Sequence, residues 1–111
     1  MKRDYKLFID DIRKSIRQIE NYMGNVSEEQ FKRDMKLQDA VIRRLEIIGE
    51  ATKNIPRALK EKNRHVPWFE MALFRDFITH SYFDMSLLTI WKTIKVKIPQ
   101  IKIAMDKIAL V

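Results

Sequence analysis

Apolar residues return every three or four positions along almost the whole of this sequence, and that spacing admits essentially one kind of fold. Tyr5, Phe8, Ile12, Ile16, Ile19 and Met23 fall on one stripe of a helix with 3.6 residues per turn. A second stripe runs through Phe31, Met35, Gln38, Ile42, Leu45, Gly49, Thr52 and Ile55, widened by Val41, Ile48 and Ala51. Trp68, Met71, Phe74 and Ile78 mark a third, and Leu88, Trp91 and Ile94 a fourth, whose apolar face Ile101, Met105 and Ile108 continue. Two glycines and three prolines are too few turn residues for a β-rich chain. The pattern predicts an all-α protein, an antiparallel bundle of four or five helices in a single domain spanning residues 1–111.

Local signals set the helix limits. The first helix covers 4–23 and ends at Gly24-Asn25. Ser27 with Gln30 reads as a capping box, and Val26 with Phe31 as a hydrophobic staple. From there one helix is expected from Glu28 to about Asn54, roughly 40 Å long at ~1.5 Å per residue, stopped by Pro56. Gly49 lies inside it, where glycine costs roughly 1 kcal/mol against alanine. Either another helix approaches closely there or the glycine is merely tolerated. Residues 56–66 read as a basic connection with one helical turn. Pro67 suits the first position of a third helix, Asp84 the N-cap of a fourth, and Pro99 breaks or kinks that fourth helix.

No apolar run approaches the ~20 residues of a membrane span, and the N-terminal MKRDYKLFIDDIRK has no apolar signal core; a cytoplasmic protein without membrane contact is expected. Zero cysteines exclude disulfides and thiolate metal sites. The net charge of +7 is uneven: segments 53–64 and 92–111 each carry five cations and one acid, so the rest of the chain is close to neutral. Such segments suit a polyanion, RNA or DNA, with Lys53, Arg57, Lys60, Lys62 and Arg64 as candidate RNA contacts. They equally suit solvated helix faces.

Chemistry concentrates in FRDFITHSYFD, residues 74–84, where Arg75, His80 and Tyr82 sit among Phe74, Phe77 and Phe83. Two isolated glycines make no phosphate loop, and His65 and His80 are the only histidines in a chain without cysteine, so no metal is expected. Arginine plus histidine has one natural use. A histidine can take a proton from a ribose 2′-hydroxyl or protonate a leaving oxygen, while arginine stabilises the charge gathering on phosphorus. That pair would cleave RNA without a metal and leave a 2′,3′-cyclic phosphate. Positions five apart differ by about 140° around a helix, so either the helix ends between Arg75 and His80 or the site needs a second copy, as a twofold dimer would supply. On the plainer reading Asp76 pairs on the surface, His80 caps a helix C-terminus and Tyr82 is an amphipathic contact.

Arg75-Asp76-Phe77-Ile78-Thr79-His80-Ser81-Tyr82 fits R-x-x-x-x-H-x-Y and resembles the HepT-like branch of HEPN-domain ribonucleases. EEQF at 28–31, IIGEA at 47–51, the Pro67-Trp68 start, and Asp84 followed by Trp91 are similar to that family's layout. The resemblance implies an α-helical homodimer with facing motifs, acting as a metal-independent ribonuclease toxin of a type VII toxin–antitoxin module. It implies a partner too, an MntA-type nucleotidyltransferase antitoxin that transfers AMP from ATP to the motif tyrosine; ATP serves that partner alone, and no cofactor is expected here. On this resemblance Arg75 and His80 are catalytic, Tyr82 is the AMPylated residue, and Asp76 and Glu50 support the motif. Contacts in 56–66 are not implied by it. A non-catalytic adaptor for the nucleotidyltransferase is the main rival, and a nucleic-acid-binding dimer without cleavage a third reading.

Overall fold

In the computed structural model the described residues are 4–81 and 87–109, with the backbone alone over 76–81. All regular structure among them is helical. Helix α1 spans Tyr5–Met23, where the Asp4 carboxylate accepts from the Lys6 N–H at 2.9 Å and so caps an otherwise unpaired donor. Its end is set by Gly24, whose φ of +45° side chains rarely adopt and whose N–H donates back to the Glu20 carbonyl. Ile12, Ile16, Ile19 and Met23 are buried as the stripe predicts; Ile9, off that stripe, is buried completely, whereas Tyr5 and Phe8 only flank the core.

The capping box forms as read. Ser27 Oγ accepts from the Gln30 N–H at 3.1 Å, and Gln30 Oε1 accepts from the Ser27 N–H at 2.9 Å. Helix α2 that follows is short, Glu28–Arg33, and the single long helix expected over 28–54 is two. Asp34 (φ −106°, ψ 89°) leaves helical geometry, and its Oδ1 accepts from the Leu37 N–H at 2.9 Å to start α3, Met35–Lys53. Gln38 closes the gap from the other side: its Nε2 donates to the carbonyls of Phe31 (2.8 Å) and Lys32 (3.1 Å) at the end of α2, the first of which also accepts from the Asp34 N–H at 3.3 Å. Met35, expected on the buried stripe, is the first residue of α3 and lies about 80° around the axis from Leu45; it is 72% exposed. Val41, Leu45, Ile48, Gly49, Ala51 and Thr52, each on the expected stripe or its widening, do face the core.

Pro56 does stop α3, and the basic connection holds a short helix, α4, Arg57–Lys62, anchored by buried Leu59. Helix α5, Trp68–Ser81, begins directly after Pro67. The expected N-cap Asp84 lies outside the described residues. Helix α6, Leu87–Lys92, passes through a π-helical turn, Thr93–Lys97, into α7, Ile98–Asp106. Inside that turn the Ile98 N–H donates to the Thr93 carbonyl, five residues back. A proline lacks the N–H of the regular ladder and crowds the carbonyl four residues earlier, and the wider turn sits immediately ahead of Pro99. Ile90, Ile94, Ile98, Ile101 and Met105 form the buried face of this last helix, while Leu88, expected on it, is exposed. Counting that helix as one, six helices are present among the described residues, against the four or five expected, because of the break at Asp34 and the ordering of α4.

Helix α3 is the centre, packed between α1 and α5. Helix α7 runs antiparallel to α1: Arg13 donates to the Met105 carbonyl at 3.0 Å, and Glu20, further along α1, meets Lys102, further back on α7, at 2.9 Å. Asn63, almost fully buried, pins the chain near its C-terminal end. Its Nδ2 donates to the Ala109 carbonyl (3.0 Å) and its Oδ1 accepts from the Ala109 N–H (2.7 Å). No described helix is long and apolar enough to cross a membrane.

Candidate active site

Helices α3 and α5 meet at Gly49. A Cβ built on Gly49 would lie 2.4 Å from the Arg75 backbone nitrogen and 2.8 Å from its Cβ, distances no methyl can occupy against a main chain. Of the two explanations left open for this glycine, close approach is therefore the one realised. The consequence is local: the residue after Gly49 is Glu50, and its Oε2 stands 2.6 Å from Arg75 Nε. Both side chains are about half exposed, so the pair sits at the rim of the bundle with its charges reachable from solvent. A single carboxylate does not exhaust the five N–H donors of a guanidinium.

Arg75 and Glu50 line one wall of a cavity of about 400 Å³, completed by Phe8 and Asp11 of α1 and by Arg43 and Glu46 further up α3. Arg43 and Glu46 are themselves an ion pair. The lining alternates in sign, arginine–glutamate twice over. No motif in the sequence marks Arg43, Glu46 and Glu50 as a group. Their spacing of three and four is the available signal, since it places them on one face of α3.

The remaining predicted residues divide clearly. His80 and Asp76 lie on α5, which is helical from Trp68 through Ser81; their side chains are outside the described residues, and so is Tyr82. An uninterrupted helix removes one of the two options for Arg75 and His80, since it does not end between them. Their Cα positions are about 140° apart around the axis and roughly 7.5 Å apart along it.

Of the five basic candidates, Arg57, Lys60 and Arg64 border one open groove between α4 and the start of α5. Lys53 and Lys62 end α3 and α4 outside it. Arg57 Nε pairs with Glu61 at 3.2 Å, and burial lowers the pKa of the Lys60 ammonium.

Comparison with known proteins gives a consistent picture. The family model described as "Ribonuclease HepT-like" matches residues 12–108. A protein of Thermococcus cleftensis named "Probable ribonuclease HepT" is 44% identical, over 97% of this chain and 98% of its own length. One from Methanocaldococcus jannaschii, named "Putative RNase MJ1216", is 43% identical over 96% of this chain and 88% of its own. No solved structure gives a significant match.

Proposed function

The chain belongs to the HepT-like ribonuclease family, and from that premise we propose that it is a metal-independent endoribonuclease whose cleft forms between two copies. The observation that carries this is the anchored arginine: Gly49 lets α5 lie on α3, and Glu50 holds Arg75 by Nε at 2.6 Å. An oriented guanidinium at a solvent-reachable rim suits a scissile phosphate, whose charge grows as the 2′-oxygen attacks. One His80 imidazole accepts the 2′-hydroxyl proton, the 2′-oxygen bonds to phosphorus, and the 5′-oxygen leaves with a proton from an imidazolium. The products are a 2′,3′-cyclic phosphate and a 5′-hydroxyl.

A twofold supplies two such histidines, and the 140° offset within α5 favours sharing the site between copies. Exposed Leu73 and Val96 border an apolar groove of about 480 Å³ beside α5, surface of the kind that association covers. Asp76 and Glu50 act as supporting residues.

Regulation follows from Tyr82 in the same motif. In the toxin–antitoxin reading, a nucleotidyltransferase joins the Tyr82 oxygen to the α-phosphorus of ATP and releases pyrophosphate. The attached AMP brings a negative charge toward Arg75, where it competes with RNA phosphate.

The test is incubation of unmodified protein with total RNA in excess EDTA, beside His80→Ala. Fragments ending in 2′,3′-cyclic phosphate, absent from the variant, are the expected result. Intact RNA in both samples would leave the adaptor reading in its place.

A further inference from the structure

We propose that the open groove between α4 and the start of α5 binds single-stranded RNA, with Phe69 as a stacking platform and Arg57, Lys60 and Arg64 as phosphate contacts. The inference extends the ribonuclease reading and rests on it. The groove encloses about 720 Å³ and is bordered by those three cations, Glu61, Trp68 and Phe69. One exposed phenylalanine on a surface needs no explanation. Phe69, however, is 76% exposed within a ring of three cations and one acid, the combination that single strands use: a flat π-face for a base beside charges for the backbone.

The neighbouring tryptophan has a different task. Trp68 is buried and donates its Nε1–H to the Asn63 carbonyl at 3.0 Å, so it forms a fixed floor while Phe69 stays outside. Lys60 reinforces the choice of ligand. Its ammonium is partly desolvated, as its lowered pKa reflects, and an arriving phosphate has less water to displace there.

Charge decides against a second copy of this chain as the occupant, because a twofold across this groove would set like cations against each other. Double-stranded RNA offers no exposed base face to Phe69. The groove borders the helix that carries Arg75. Phe69 is about 120° from Arg75 around the axis of α5 and roughly 9 Å from it along the axis. A strand held here reaches the cleavage motif by crossing α5 obliquely.

The experiment is fluorescence anisotropy of a labelled oligouridylate across a salt series, with Phe69→Ala and the double variant Lys60→Gln/Arg64→Gln built on the His80→Ala chain. The oligomeric state of each is checked by light scattering. Phe69→Ala should weaken binding about fivefold or more, fivefold being the low end of what one stacked base contributes. The double variant should flatten the slope of log affinity against log salt by about 0.7 for each phosphate that no longer meets a cation. Unchanged affinity in Phe69→Ala overturns the proposal. So does a changed oligomeric state with unchanged affinity per chain, which would assign the groove to a second copy. Cleavage of the same RNA by the chain with His80 intact separates the two readings. His80-dependent cleavage with unaltered groove binding would sink the groove alone, and groove-dependent binding without cleavage would sink the ribonuclease alone.

Discussion

At the scale of single residues, the decisive pair is Glu50 and Arg75, twenty-five positions apart in the sequence. Spacing within a helix cannot report such a contact, and only the resemblance to a ribonuclease family marks Glu50 at all; its bond to Nε becomes visible once α3 and α5 are packed. Ion pairs this exposed contribute at most about 1 kcal/mol to folding, whereas misplacing a reacting group by an ångström costs up to about a hundredfold in rate. Glu50→Gln is therefore expected to lower kcat/KM for RNA cleavage by about tenfold or more while leaving the melting temperature nearly unchanged. Equal loss of thermal stability and activity would make Glu50 a structural residue instead. The cation cluster shows the opposite limit of legibility. Arg57, Lys60 and Arg64 are visible in the sequence as charges, but Phe69 does not stand out there, because an exposed aromatic and a core aromatic look alike in a sequence.

At the scale of elements, capping signals are readable because they are local: Ser27 with Gln30, Gly24 and Pro56 each act within four residues. The break at Asp34 is not. An aspartate on the outer face of a continuing helix gives the same pattern as one that caps a new helix, and the difference lies in whether Gln38 turns back to serve two carbonyls. Asp34→Ala removes the acceptor for the Leu37 N–H and should cost about 1 kcal/mol, a lowering of the melting temperature by several degrees. Gly49→Ala tests the α3–α5 crossing. The added methyl meets main chain, which cannot swing aside, so a loss of about 1–3 kcal/mol is expected, read as an earlier midpoint in urea. A neutral result would mean that the helices separate easily.

At the scale of the whole molecule, the bundle itself is the most legible feature. Ile12, Ile16, Ile19 and Met23 of the first stripe, together with the cluster of isoleucines on the last helix, say where the core lies. Met35 and Leu88 depart from their stripes most plainly, Met35 at the first position of α3, about 80° around the axis from Leu45. Association is the property a single chain leaves to experiment. If one cleft draws a His80 from each copy, mixing wild-type chains with an excess of inactive His80→Ala chains and allowing exchange should lower cleavage below that of the wild-type chains alone, because mixed dimers hold one histidine where the reaction uses two. Cleavage that stays in proportion to the wild-type chains present would place a working site within one chain.

The crossing at Gly49 also bears on how Arg75 can be questioned. Its Cα is held where it is by main chain lying on main chain, so the long side chain beyond Cβ is not what wedges the two helices together. Shortening or exchanging that side chain leaves its mounting in place. Position 75 thus behaves as a socket, into which lysine, glutamine or alanine can be fitted in turn, and the differences in rate among them will gauge the guanidinium itself.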